Sequence, residues 1–371
     1  MNSVSKRKIV LGRGAFMLSI VLWFYPATTY SQEGATEPKR IVSGDLRFRH
    51  ESTESGDEEI ARHRERVRFR VGIEQGLSDN LKFGLRLRLG SPTDARSSYI
   101  DLGDGFDPLE VNLDRLFVEW RSRNDVAMWA GKFPLNLAGN LPYAELVWDE
   151  DVQPEGVAFR CEPFAEGVSF SAGQFVTVEN RFATDGYLTT SELGWHGSVG
   201  EVGEFACALS YLGWSDVSPG GNFAALGLDD RGNRINPMED DFLSDFRIMR
   251  LTSSWSRRCA NWDLTLADEW IRNFGAENER DAYAIGLSTG PVEGKTRIFY
   301  QWQTVDEDAV FTPVSQDDFL QGSGFRGHVF GCKRSFGETV SLGCWGLVSK
   351  DRRSAASDQR GRFRLDLDFK F

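Results

Sequence analysis

The sequence has few of the residues from which catalytic and metal sites are built. Its 371 residues include only 4 His and 5 Cys. An enzymatic site needs a nucleophile or a paired acid and base, and no histidine stands in a recognisable Ser-His or Asp-His signature. The cysteines also lack the spacing of metal ligands; they are Cys161, Cys207, Cys259, Cys332 and Cys344. The sequence therefore predicts no enzyme and no cofactor.

Most of the cysteines fall in strand-like segments, where a thiol behaves as a small apolar residue. An alternative is that Cys332 and Cys344 form a bridge across one hairpin. We favour the first interpretation.

Long apolar runs are rare as well. The one at the N-terminus, Ala15 to Tyr25, follows several basic residues and is shorter than the roughly 20 residues that a spanning helix needs. This pattern is typical of a secretory signal peptide. We therefore predict a cleaved signal peptide at 1–31, a short segment at 32–39 and a barrel domain at 40–371. An N-terminal membrane anchor is the alternative.

The charge balance excludes further classes of protein. With 55 acidic residues against 43 basic ones, the net charge is −12, which speaks against nucleic acid as a partner. No window after the N-terminus is apolar enough for a spanning helix, so the sequence excludes a helical protein of the inner membrane.

The clearest pattern in the sequence is a predicted β-hairpin whose two faces differ in chemistry. Arginine occupies every second position from Arg62 to Arg70, and apolar residues fill the positions between from Val67 on. A period of two places successive side chains on opposite faces of a β-strand. The pattern returns in Leu81 to Leu89 after a turn-like segment. The sequence thus predicts a hairpin with one basic face and one apolar face.

The pairing of that hairpin follows from where its turn is centred. A turn centred near Ser78 would place Arg70 opposite Arg86, Arg68 opposite Arg88, and Glu74 opposite Lys82. Like charges that face each other across strands destabilise the pair. The basic face therefore needs water and counter-anions, or acidic groups held against it.

The whole chain repeats such segments, separated by connections that are alternately long and short. The predicted long connections are 50–61, 90–112, 134–155, 178–187, 214–243, 274–280, 306–324 and 350–360. The predicted short ones are 76–80, 121–125, 163–166, 200–203, 257–260, 290–294 and 335–338. Together they predict about sixteen antiparallel strands.

The direction of the two faces decides between a soluble sandwich and a membrane barrel. A closed sheet of about sixteen strands encloses a lumen too wide for side chains to fill, so an apolar interior would be a wet void. In a membrane the apolar face meets lipid and the polar face lines water. The predicted fold is therefore all-β: a transmembrane antiparallel β-barrel with short periplasmic turns and long extracellular loops.

A resemblance to a known family supports this prediction. Between Ala61 and Phe159 the chain is similar to the bacterial "putative porin" family, and the matching segments are ARHRERVRFRVGIE, LKFGLRLRLGSPTDARSS, DLGDGF, LDRLFVEW, WAGKF and WDEDVQPEGVAF. The last strand, with Phe369 and a terminal Phe371, resembles the C-terminal assembly signal of outer-membrane barrels. We expect this strand to pair with the first one, near Val42 to Phe48.

The resemblance implies a function and a location. It implies a porin in the outer membrane of a Gram-negative bacterium, with a water-filled channel for passive diffusion of small hydrophilic solutes and ions. Its surroundings would be outer-membrane lipid and lipopolysaccharide, and the barrel-assembly machinery would act on its C-terminal strand. Whether three copies form a homotrimer stays open. The alternatives are a substrate-specific channel for a sugar or an organic anion, which aromatic residues in the lumen would favour, and a plugged structural or adhesive barrel.

The same resemblance implies a constriction. In sixteen-stranded general porins, which this chain resembles, the third long loop folds into the lumen. Here that loop spans Pro134 to Glu155, and its carboxylates would face the basic wall and filter solutes by size and charge. The predicted pore-lining residues are Arg47, Arg49, Arg64, Arg66, Arg68, Arg70, Arg86, Arg88, Asp149, Glu150, Asp151 and Glu155. The alternative is an acidic run that is solvated on the exterior.

The second long loop carries another acidic group. Its members are Asp101, Asp104, Asp107, Glu110 and Asp114. Oxygen ligands of this kind suit Ca²⁺, but their spacing does not match an EF-hand loop. We therefore expect a solvated acidic loop.

Overall fold

A computed structural model describes residues 39–54, 61–92, 94–103, 105, 108–122, 126–162, 166–179, 184–218, 232–236, 238, 241–292, 295–353 and 359–371. The predicted signal peptide and nearly all of the short segment after it lie outside these residues. In the described part of the chain, no helix is long and apolar enough to cross a membrane.

Sixteen long strands form one closed antiparallel barrel, as predicted. They are β1 Arg40–Glu54, β2 Arg62–Gly76, β3 Leu81–Leu89, β4 Val111–Arg121, β5 Val126–Lys132, β6 Glu155–Cys161, β7 Val168–Val178, β8 Gly186–Val199, β9 Gly203–Ser215, β10 Arg247–Cys259, β11 Trp262–Asn273, β12 Asp281–Pro291, β13 Thr296–Val305, β14 Phe325–Phe336, β15 Val340–Asp351 and β16 Gln359–Lys370. Three shorter strands lie in the loops: Tyr99–Asp101, Ile235–Asn236 and Asp241–Phe242.

The seam of the barrel joins the two ends of the described chain. Strand β16 pairs with β1 from Lys370 opposite Asp45 to Gly361 opposite Glu54, which confirms the predicted pairing of the last strand with the first. The backbone continues this pairing: Gly44 N donates to Phe371 O at 2.9 Å, and Phe371 N donates to Gly44 O at 3.2 Å. Glycine is required at residue 44, because a Cβ would lie 2.5 Å from the backbone oxygen of Arg70 and 2.5 Å from the Phe371 ring. Closure leaves no unpaired edge at this point.

The apolar face of the sheet points outward and the polar face points inward, as expected for a barrel in a membrane. Apolar side chains such as Leu193, Leu251 and Leu266 are exposed on the outside. Polar side chains such as Glu269 and Gln301 point inward and are fully buried. Because hydrocarbon cannot solvate polar groups, this arrangement suits a barrel wall that is surrounded by lipid.

The register of the β2–β3 hairpin differs from the prediction. Arg70 lies opposite Arg88, and Gly72 opposite Arg86, so every partner is shifted by two residues. The turn closes between Gly76 and Leu81, where Leu77 N donates to Leu81 O at 2.8 Å; its centre is thus one residue later than Ser78. A shift of two residues keeps each side chain on its face. The basic face was therefore predicted correctly and the pairing within it was wrong.

The cysteines carry no disulfide in the described chain. Cys332 and Cys344 are cross-strand partners, with their Sγ atoms 3.3 Å apart. Both thiols are free.

Candidate pore constriction

The third long loop, residues 133–154, is anchored to the inner wall of β8 and β10. Ala138 N donates to both carboxylate oxygens of Glu192, at 3.2 and 3.0 Å, and Ala138 O accepts from Arg250 Nη1 at 2.6 Å. Asn140 Nδ2 donates to Ser254 Oγ at 2.8 Å. Since Glu192 and Arg250 are almost fully buried, the first part of the loop lies inside the barrel.

The same loop then continues across the lumen. Tyr143 exchanges two hydrogen bonds of 2.9 Å with the Gln301 side chain on β13. On the opposite wall, Asp151 accepts from Arg70 Nη1 and from Ser98 Oγ, each at 2.9 Å. The loop therefore spans from β8 and β10 to β2. The inward-facing arginines of β1, β2 and β3 are called the basic ladder below: Arg47, Arg49, Arg64, Arg66, Arg68, Arg70, Arg86 and Arg88.

The basic ladder is balanced by acidic groups from strands that the hairpin pattern could not identify. Asp45 on β1 accepts from Arg68 Nε at 2.9 Å and from Arg70 Nε at 2.7 Å. On β16, Asp366 accepts two hydrogen bonds from Arg49, at 2.6 and 2.9 Å. The further ion pairs of this wall are Arg47 with Asp368 and Arg64 with Glu51. Pairing of β1 with β2 brings Asp45 and Glu51 to the ladder, and barrel closure brings Asp366 and Asp368.

Two of the acidic residues that the prediction assigned to the second loop are partners as well: Asp101, on the short strand Tyr99–Asp101, and Asp114, on β4. Asp101 accepts from Arg66 at 2.8 Å and from Arg64 at 3.3 Å, and Asp114 binds Arg86 and lies 3.5 Å from Arg88 Nε. The expectation of a solvated loop is therefore wrong for these two carboxylates. Glu110 is exposed, and Asp104 and Asp107 lie outside the described residues. Among the described residues, no group of three or more His, Cys, Asp or Glu side chains is placed to hold a metal.

An aromatic residue that the sequence analysis did not single out lies among the arginines. The short strand Tyr99–Asp101 pairs with Arg66–Arg68 of β2. The Tyr99 hydroxyl accepts from Arg47 Nη1 at 2.8 Å, and its ring lies 4.3 Å from the guanidinium carbon of Arg49 and 5.5 Å from that of Arg68. Such contacts between a guanidinium group and an aromatic ring are favourable. Tyr99 thus holds the guanidinium groups of two neighbouring strands together.

The seventh long loop, residues 306–324, also lies in the lumen, which nothing in its sequence had indicated. Asp149 N donates to Val314 O at 2.9 Å, and Gln316 N donates to Glu145 O at 3.0 Å. Phe311 and Thr312 of the seventh loop are fully buried. The third and seventh loops are therefore packed against each other inside the barrel.

The carboxyl groups at this loop contact do not titrate alike. Burial and the neighbouring carboxylates raise the pKa of Glu145 and Asp149 well above their usual values. Burial and Asp318 raise the pKa of Asp317 to about 6. Burial alone would also raise the pKa of Asp151, but the Arg70 and Arg68 guanidinium groups hold it below its usual range. Negative charge on the third loop is therefore favoured where the loop meets the ladder.

A cavity of about 510 Å³ separates the ladder from the third loop. Four of the predicted wall arginines line it, namely Arg47, Arg49, Arg66 and Arg68, and so do the predicted loop residues Asp149, Glu150 and Asp151. Arg64 lines a second cavity beneath the second loop. Arg70, Arg86 and Arg88 point inward from β2 and β3 and make the ion pairs given above.

Two groups of predicted residues lie elsewhere. Glu155 begins β6 on the same face as the exposed Val157 and Phe159, and it accepts from Lys132 Nζ at 2.7 Å. Because side chains alternate along a strand, its carboxylate points away from the lumen and does not belong to the constriction. Phe369 and Phe371 lie at the end of β16 beside β1, where Phe371 stacks on Phe69.

Comparisons with known proteins agree with this architecture. The family model described as "Putative porin" matches residues 38–223. The high-pH structure of Pseudomonas putida OprB is 11% identical, with 90% of this chain and 94% of that chain covered and a TM-score of 0.63. A loop L8 deletion mutant of OmpT from Vibrio cholerae is 12% identical, with 90% and 99% covered and a TM-score of 0.52. A triple mutant of the Rhodopseudomonas blastica porin is 16% identical, with 90% and 100% covered and a TM-score of 0.51.

A search of curated proteins found no match. The solved structures, at these identities, share the fold, whereas the family match rests on the sequence itself and spans half of the chain. The closed barrel, its apolar outer face and this match together show that the chain belongs to the putative porin family and is an outer-membrane channel protein rather than an enzyme.

Proposed function

We propose that this porin passes small hydrophilic solutes and ions by passive diffusion, and that the basic wall ladder facing the acidic third loop filters them by charge. One observation carries the proposal: the third loop crosses the lumen and ends with Asp151 bound to Arg70, next to the cavity that the ladder lines. Opposite charges on two sides of a narrow passage with low-dielectric walls set up a strong local field. Such a field sorts ions at a constriction.

Removing positive charge from the ladder is expected to shift the pore towards cations. We propose to replace Arg70, Arg86 and Arg88 together by Gln, which removes three positive charges and keeps an N–H donor beside each carboxylate. Planar-bilayer reversal potentials in a KCl gradient measure the shift. The shift should shrink at high salt, because the Debye length falls to about 3 Å at 1 M.

Two further variants complete this experiment. Replacing the same three arginines by Lys keeps the charge and should leave the reversal potential close to that of the wild type. Glu150→Gln removes an exposed carboxylate that lines the cavity and should shift the selectivity the opposite way. If neither the Gln variants of the ladder nor Glu150→Gln move the reversal potential, the ladder is a structural part of the wall and the proposed filter is wrong.

A substrate-specific channel is the second candidate, and the aromatic residues of the lumen favour it. Tyr99, Trp148, Phe299 and Trp345 all line the cavity at the ladder. A general diffusion pore needs no such side chains, whereas a binding site for an organic solute does. A plugged structural or adhesive barrel would instead show no single-channel conductance.

We also propose a route to the membrane. The N-terminal segment would direct export and be cleaved, the outer face would contact outer-membrane lipid and lipopolysaccharide, and the barrel-assembly machinery would act on β16. Association of three copies is part of the same proposal. The regular apolar outer face and the position of Phe371 at the seam support it.

Deleting Phe371 is expected to impair assembly while export continues. The deletion removes the ring that stacks on Phe69 and two backbone hydrogen bonds at the seam. Heat-modifiable, membrane-inserted protein should decrease, and the processed chain should still reach the periplasm. As a control, Phe336→Ala removes an exposed aromatic ring at the end of β14, two strands away from β16. Wild-type insertion of the deletion variant would contradict the role of the terminal residue.

A further inference from the structure

The cavity at the ladder contains guanidinium nitrogens that have no acceptor among the described residues. Arg68 is 5% exposed, and its Nε donates to Asp45, whereas its two Nη atoms bond to no described residue. Arg49 donates hydrogen bonds from Nε and Nη2 to Asp366, and its Nη1 has no acceptor in the described chain. Arg47 likewise donates from Nε and Nη1, and its Nη2 has no acceptor in the part of the chain that the structure describes. None of these nitrogens is among the fully buried unpaired donors of the described chain, so they reach the cavity and can donate charge-assisted hydrogen bonds to an acceptor from solution.

These three guanidinium groups all contact the Tyr99 side chain. The Tyr99 ring contacts Arg49 and Arg68, and its hydroxyl holds Arg47. All four residues line the same cavity of about 510 Å³. A carboxylate holds each of the three arginines through Nε, and it holds Arg49 through Nη2 as well. The donors are therefore gathered at one place and preorganised.

The other side of the cavity is partly apolar. Leu141 and Val147 of the third loop line it and are almost fully buried. Four carboxyl groups of the third loop line it too, namely Glu145, Asp149, Glu150 and Asp151, and so do Asp317 and Asp318 of the seventh loop. The raised pKa values of Glu145 and Asp149 favour their uncharged forms, so these two repel an anion less than their number suggests.

We propose that Arg47, Arg49 and Arg68 form a binding site for the carboxylate of a small organic acid, whose apolar body packs against Leu141 and Val147. The planar guanidinium group matches the geometry of a carboxylate and forms strong charge-assisted hydrogen bonds with it. The proposal rests on the proposed function as a channel and names a substrate class for it. A site of this kind makes transport saturable, which free diffusion is not.

Benzoate is the probe for this site, and benzamide is its uncharged counterpart. With the full mature chain in planar bilayers at 0.1 M KCl, benzoate should reduce the chloride current along a saturating curve. Benzamide at the same concentrations should leave the current unchanged. A benzoate effect that rises linearly without saturation, or an equal effect of benzamide, would overturn the site.

Substitutions test whether the saturating block by benzoate depends on Arg68. Arg68→Gln should raise the half-saturating benzoate concentration at least tenfold, and Arg68→Lys should also raise it, because the charge remains and the fork of donors is lost. Arg297→Gln is the matched control: it removes a positive charge from β13, where Arg297 pairs with Asp263 outside this cavity, and should leave the value unchanged. Equal shifts for Arg68→Gln and Arg297→Gln would mean a general charge effect and would refute the site.

Failure of the site and failure of the channel are distinguishable. A conducting pore with wild-type ion selectivity and no saturable block refutes the site alone. A barrel that folds and does not conduct refutes the channel. In that case, equilibrium binding of radiolabelled benzoate to the folded wild-type protein in detergent, compared with folded Arg68→Lys, tests the site by itself.

Discussion

Arginine at Leu266 is expected to prevent stable insertion of the barrel, whereas arginine at the next residue, Thr265, is expected to be tolerated. Leu266 is on the outer face of β11 and is 42% exposed, and Thr265 points to the water-filled side. An arginine on the lipid face costs about 2–4 kcal/mol at the bilayer midplane and less near the interfaces. The difference should appear in urea unfolding from lipid vesicles and in heat-modifiability on gels.

The two substitutions are matched because they introduce the same side chain into the same strand at nearly the same depth. Leu266→Met serves as the control for loss of the leucine itself and should insert as well as the wild type. If Leu266→Arg and Thr265→Arg insert equally, the outer face of β11 does not meet lipid. That result would contradict the orientation of the whole sheet.

Arg250→Ala is expected to destabilise the barrel and to release one end of the third loop. Arg250 Nη2 donates to Glu269 Oε2 at 2.8 Å, and its Nη1 holds Ala138 O of the loop. Removing one partner of a buried ion pair costs about 3–5 kcal/mol, since Glu269 is fully buried. The urea midpoint should fall, and single-channel conductance should rise as the loop leaves the lumen.

The double variant Arg250→Met with Glu269→Gln separates these two effects. It removes both charges, so the cost of an unpaired buried carboxylate disappears. The loop still loses its hydrogen bond at Ala138. Conductance should therefore stay high while stability recovers towards that of the wild type. Wild-type conductance in both variants would show that this anchor does not hold the third loop.

The strands, their number and their facing were predictable because they depend on local sequence. Alternation with a period of two, turn residues and loop lengths are read within about ten residues. The width of a sixteen-stranded lumen indicated that the polar face points inward, opposite to a soluble sandwich. The register of the β2–β3 hairpin was wrong by two residues, since moving the centre of a turn by one position keeps the facing and changes only the partners.

The partners of Arg47 and Arg49 were decided only by the closed barrel. Asp366 lies 317 residues from Arg49 in the chain, and nothing in the local pattern of either strand couples them. The same holds for Tyr99 among the arginines and for the seventh loop against the third. The sequence by itself determined which side chains face water, because facing is a local property of the strand. Which of those side chains meet across the lumen depends on closure, shear and loop packing, and these properties belong to the whole barrel.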